Sequence, residues 1–148
     1  MIGQILKTTF LSLGVGLIVQ LGQTWLQSDY FTGYLKANLI NLIAALLAIN
    51  CATLGIVLTK IRDLVDRHGH ADAFGSAKRQ MQLSIKEQVG LIGMAVLLLT
   101  AIDSPHVKRV EHLPLLLNAA LAAVFVYAIL VLYDTAKSVF VILDFKDE

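Results

Sequence analysis

Residues 37–59 read ANLINLIAALLAINCATLGIVLT, an unbroken stretch without a single charge. A helix needs roughly 20 mostly apolar residues to cross about 30 Å of hydrocarbon. Ala37–Thr59 therefore reads as a membrane span. Thr8–Leu26 and Leu113–Tyr133 follow the same rule and also carry no charge. A fourth apolar run, Val89–Ile102, is shorter. It covers only about 21 Å at 1.5 Å per residue, so that span must begin near residue 83 and bring Lys86, Glu87 and Gln88 towards the hydrocarbon.

Composition supports the same class. Of the 148 residues, 57% are hydrophobic and 16% charged, against roughly 25% charged in an average soluble domain. A chain this short cannot hide that much apolar surface from water, and disorder requires the opposite balance. One cysteine leaves no disulfide within the chain, and a net charge of +1 argues against a nucleic-acid binder held by bulk charge. The predicted fold is an all-α, four-helix membrane bundle. It forms a single transmembrane domain over 1–148, with spans near 8–26, 37–59, 83–102 and 113–133. Lys7 precedes the first apolar run, but no small-x-small cleavage site follows it, so an uncleaved first helix is expected.

Orientation follows from Lys and Arg. Lys7, Lys60, Arg62, Arg67, Lys78, Arg79, Lys86, Lys137 and Lys146 fall on one side. Lys36, Lys108 and Arg109 fall on the other. The bias predicts both termini on the cytoplasmic side, with Trp25, Tyr30, Phe31 and Tyr34 at the outer interface; the expected location is the bacterial inner membrane. The second span continues past Lys60 with apolar residues at Ile61, Leu64 and Val65. A turn is expected over His68–Gly75, with Ser76 capping the next helix. Residues 60–88 thus form a cytoplasmic helical hairpin of mixed charge. Arg62, Arg67, Lys78 and Arg79 on it are candidates for contact with a cytosolic protein or anionic headgroups.

Inside hydrocarbon, small and polar residues mark where helices meet. The second span carries Asn41, Ala45, Ala48, Ala52, Gly55 and Thr59 at steps of three and four, a seam along one face. The first span carries Thr9, Ser12, Gly16, Gln20, Gln23 and Gln27 at the same steps. That stripe either bonds to other helices or walls a wet path in an oligomer. Asn50 lies off the seam and is expected to bond across helices. Asn41 and Asn118 should lie at similar depth and face each other or share a polar partner. Lys86 and Glu87 either snorkel to headgroups or line a polar vestibule. Beyond Asp134 and Lys137, Val139–Leu143 is expected to lie along the interface or dock on the hairpin.

Catalytic signals are absent from the pattern. No P-loop, dinucleotide-binding glycine motif, HExxH or GxSxG occurs. Asp103, Ser104 and His106 are mere neighbours in a short loop. Asp66, His68, His70 and Asp72 alternate through a turn containing Gly69, which does not set ligands on one face, and a solvated turn is the reading. Cys51 reads as inert packing within its helix. No enzyme activity, metal or cofactor is expected, and no repeat of the kind that builds inverted-repeat transporters is visible.

The second span running into Thr59-Lys60-Ile61-Arg62, the cytoplasmic hairpin, the last span after Leu113-Pro114 and the charged tail Lys146-Asp147-Glu148 together form a recognisable plan. It resembles that of the small four-helix membrane proteins of bacterial phage-exclusion systems, of the lambda Rex type. The resemblance covers most of the chain as architecture and transfers no functional residues. It implies a membrane component that changes permeability or senses membrane damage and is coupled to a cytosolic partner. The expected function is accordingly a non-enzymatic, homo-oligomeric membrane protein that senses or alters membrane state and signals through residues 60–88. The alternative is a structural or assembly subunit of a larger membrane complex.

Overall fold

The computed structural model describes residues 2–68, 75–110 and 112–143. Five helices follow in order: α1 (Ile2–Trp25), α2 (Tyr30–His68), α3 (Gly75–Asp103), the single turn α4 (Pro105–Lys108) and α5 (Leu113–Leu143). No strand occurs among the described residues. Four of the helices are long and apolar enough to cross a membrane: α1, α2, α3 and α5. They cover the four apolar runs read from the sequence except Leu26, which falls in the turn after α1.

The helices run on well past the hydrocarbon requirement. α2 begins at Tyr30, seven residues before the apolar run, and continues to His68. Nothing in Tyr30–Lys36 breaks a helix except the tolerated Gly33. α3 starts at Gly75, so Ser76 lies inside the helix and does not cap it. Residues 69–74, which hold the expected turn with His70 and Asp72, lie outside the described residues, as do the side chains of Asp66, Arg67, His68 and Lys78.

A tight turn reverses the chain between α1 and α2. Ser28 N–H donates to the Gln23 carbonyl at 3.0 Å and Gln27 N–H to the Thr24 carbonyl at 3.2 Å. Gln27 takes a positive φ of 51°. This is a Schellman closure, with Gln27 at the left-handed position that glycine usually fills. Asp29 then receives the first α2 hydrogen bond, from Gly33 N–H at 2.8 Å. At the same end of the bundle, Ser104 in extended conformation precedes Pro105 at the first position of α4, where a missing N–H costs nothing.

α5 is the central helix. It buries 44% of its most apolar window, against 17% for each of the other three, and packs on α1, α2 and α3. Its alanine-rich middle makes this possible, because small side chains let neighbouring backbones approach. Leu121, Ala122, Val124 and Ala128 of α5 meet Leu35, Leu39 and Ile43 of α2 and Ala95 and Ile102 of α3 in the main core. Phe31 and Phe125 meet edge to face at 6.1 Å. A second cluster joins Val57 of α2 to Met81 of α3, with Val139 of α5 packed on it. The side chains of residues 140–143, the rest of the expected tail, lie outside the described residues. The opposite surface is apolar: Phe10, Ile18, Ile56 and Leu97 are all largely exposed, as suits helices facing lipid.

Candidate functional site

The polar stripe of α1 turns into the bundle. Ser12, Gly16, Gln20 and Gln23 are buried and Thr9 is half-buried. A Cβ at Gly16 would stand 2.5 Å from the Ala119 carbonyl oxygen and 2.8 Å from Ala123 N. The backbones of α1 and α5 therefore touch at this glycine. Further along the helix the stripe meets the first turn of α2. Gln23 Nε2 donates to Thr32 Oγ1 at 3.0 Å, and Thr32 N–H donates to Gln23 Oε1 at 3.1 Å. Thr32 Oγ1 also lies 3.3 Å from Gln20 Oε1 and 3.3 Å from Gln23 Oε1. Gln23 so satisfies an N–H that the start of α2 leaves without an intrahelical partner.

One expectation about this stripe changes. Gln27 lies beyond the end of α1, exposed in the closing turn, so the stripe is not continuous through the span. The buried glutamines are bonded within one chain. Gln23 uses both ends of its amide on Thr32 and Gln20 its oxygen, the interhelical bonding that is one of the two readings of the stripe.

The seam of α2 does the reverse. Asn41, Ala45, Ala48, Ala52, Gly55 and Thr59 are all exposed. The Thr59 hydroxyl donates to the Gly55 carbonyl at 3.0 Å, the usual way for a hydroxyl to find a partner without leaving its helix. Asn38 does the same with its amide, donating to the Tyr34 carbonyl at 3.0 Å, whereas Asn41 is exposed on the outward face. Asn41 and Asn118 do not meet: Asn118 Oδ1 is buried with no hydrogen-bond partner, while Asn41 faces outward. They sit on different faces of the helix pair, which depth alone does not reveal. Cys51, expected to be packed, is also exposed, on the edge of the seam between Ala48 and Gly55.

Among the described residues, Asn50 and Gln88 are the most deeply buried amides, at 2% and 0% exposure. Neither has a hydrogen-bond partner for its oxygen or its nitrogen. The bond across helices expected for Asn50 is therefore not formed by protein groups. Gln88 was not singled out by the periodicity, because it sits at the edge of the apolar run between charged and apolar neighbours.

Lys86 is exposed, and Glu87 is half-buried. Tyr127 of α5 donates its hydroxyl hydrogen to Glu87 Oε1 at 3.4 Å. Thr9 lies within hydrogen-bond reach of Tyr127, and the Asp134 carboxylate is close enough for its charge to act on Glu87. This polar group links α1, α3 and α5 at the hairpin end of the bundle. Next to it a groove of about 300 Å³ runs between the same helices, walled chiefly by Leu13, Leu91, Met94, Leu98 and Val124. Thr9, Ser12 and Tyr127 add hydroxyl groups to that lining. On the hairpin itself Arg62 and Arg79 are exposed.

Comparison with protein families, with curated proteins and with solved structures finds no match to this chain.

Proposed function

We propose that the chain is a non-enzymatic, multi-pass membrane protein that self-associates through the outward seam of α2 and responds to the state of its membrane. The observation that carries this reading is the seam. Six small or polar residues at helical spacing lie together on the surface, where close helix–helix approach is favoured. An outward amide at Asn41 is costly against lipid and is satisfied when a second copy covers it. The Lys and Arg bias supports placing the 60–88 segment in the cytoplasm, and the resemblance to phage-exclusion proteins supports a bacterial inner membrane. The exposed Arg62 and Arg79 would meet a cytosolic partner there. The resemblance of plan to phage-exclusion proteins supports defence against phage as the setting for a change in permeability or potential.

Cys51 supplies the test. Copies inserted with one orientation hold their Cys51 thiols at the same depth, and a two-fold interface at the seam brings them together. Oxidation in native membranes should give a dimer on non-reducing gels. The dimer should vanish in Cys51→Ser and fall sharply in Ala48→Leu and Gly55→Leu. A monomer under all conditions would remove the reading.

The alternative, an assembly subunit, draws on the closed α1 stripe. Gln20 and Gln23 bond to Thr32 within the chain, and in this reading the seam receives a foreign helix. Capture of stoichiometric other membrane subunits in place of a second copy would favour it.

A further inference from the structure

The buried residues of α2 and α3 share one register. On α2, Ile43, Asn50 and Val57 are buried at seven-residue steps; on α3, Met81, Gln88, Ala95 and Ile102 are buried at the same steps. Val57 and Met81 pack together in one cluster, and Ile43 and Ala95 belong to another. The helices are adjacent and antiparallel. Moving seven residues from Val57 and seven from Met81, both away from the hairpin, reaches Asn50 and Gln88. The two amides therefore occupy the same layer of the same interface, between an apolar layer on each side.

Four atoms in that layer are without a partner: Asn50 Oδ1 and Nδ2, and Gln88 Oε1 and Nε2. Leaving amides unpaired in an apolar interior is strongly unfavourable. The guest that suits them is decided by their chemistry. A cation would be bound by the two oxygens and repelled by the two NH2 groups. An anion would use the NH2 groups and repel the oxygens. A water molecule donates twice and accepts twice, and buried waters characteristically make about three such bonds to otherwise unsatisfied groups.

We propose that Asn50 and Gln88 jointly hold a bound water molecule between α2 and α3, a polar pin that sets the register of the two helices. The water donates to Asn50 Oδ1 and Gln88 Oε1 and accepts from Nδ2 and Nε2. It gives one bond to each of the four atoms. A polar layer of this kind specifies alignment, because sliding by one turn would part the two amides and set Gln88 level with Leu46 or Leu54. The site is internal to one chain and independent of the α2 seam.

The test is water-to-amide cross-relaxation by NMR on 15N-labelled full-length protein in lipid nanodiscs. The side-chain NH2 signals of Asn50 and Gln88 are assigned by their disappearance in Asn50→Leu and Gln88→Leu. Both signals should show through-space cross-peaks to water, unchanged when sodium is replaced by potassium. The Gln88 cross-peak should be lost in Asn50→Leu. Amide-to-amide contacts without a water cross-peak would overturn the proposal, as would signals that shift with the cation. Survival of the Gln88 cross-peak in Asn50→Leu would place any water elsewhere and also overturn it. A second readout uses melting temperature. Each single leucine variant should melt lower than the parent, and the double variant should recover much of the loss, since no amide is then left behind; strictly additive losses would contradict a shared guest. Should a leucine variant fail to fold, the cross-peaks of the parent, with its NH2 groups assigned by residue-selective labelling, still decide.

Discussion

Gly16→Ala should be the most informative single change in the bundle. The added methyl carbon would stand 2.5 Å from the Ala119 carbonyl oxygen, 2.8 Å from Ala123 N and 3.0 Å from Ala123 Cβ. Ordinary van der Waals contact begins near 3.4 Å, so α1 and α5 would have to part by about 0.9 Å. Two of the three obstacles are backbone atoms, which cannot rotate aside. Overpacking of this kind costs about 1–3 kcal/mol, and a gap of 0.5–1 Å forfeits about a quarter to a half of each neighbouring dispersion contact. Alanine returns roughly 1 kcal/mol through its better helix propensity. Gly14→Ala isolates that second effect, because a Cβ at Gly14 meets nothing within 4 Å. The difference between the two variants cancels propensity and leaves about 1–3 kcal/mol of overpacking. Unfolding both in mixed micelles by titration with a denaturing detergent, followed by circular dichroism, measures it. Gly14→Ala should match or exceed the parent, and Gly16→Ala should fall below Gly14→Ala by that amount. Equal stability of the two would refute the claim that α1 and α5 touch at their backbones.

Other changes probe the remaining polar contacts. Thr32→Val keeps the side-chain shape and the backbone bond to Gln23 but leaves Gln23 Nε2 and Gln20 Oε1 without the hydroxyl, and should cost about 1–2 kcal/mol in the same titration. Gln27→Gly should raise stability by up to about 1 kcal/mol, because it relieves a left-handed backbone at φ 51° that glycine adopts freely. Tyr127→Phe removes a long hydrogen bond of 3.4 Å to Glu87 and should cost less than about 1 kcal/mol; a larger loss would mean that the polar group at the hairpin end holds the bundle together.

The spans were legible because lipid imposes a length and forbids charge, a rule that acts residue by residue. Helix ends were less so. Hydropathy registers the membrane and not the helix, so it misses the early start of α2 at Tyr30 and the run of α5 to Leu143. The faces were legible too: three- and four-residue steps put Ser12, Gly16, Gln20 and Gln23 on one side of α1 and the alanine seam on one side of α2. Periodicity does not say what a face meets. The α1 stripe met its own chain because Thr32 arrives from across the turn and the alanines of α5 from far along the sequence. The α2 seam was left uncovered because α3 and α5 took the opposite face, that of Leu39, Ile43 and Asn50. Gln88 became visible only when the register of α2 against α3 placed it level with Asn50, a relation that no local pattern contains.

Self-association through the α2 seam is the central claim, and the mass of the complex tests it most directly. The protein would be extracted into nanodiscs without harsh detergent, purified from its native membrane and weighed intact. A homo-oligomer that collapses to single copies in Ala48→Leu is the predicted result. A parent protein that is monomeric, or held only with other membrane subunits, would contradict it.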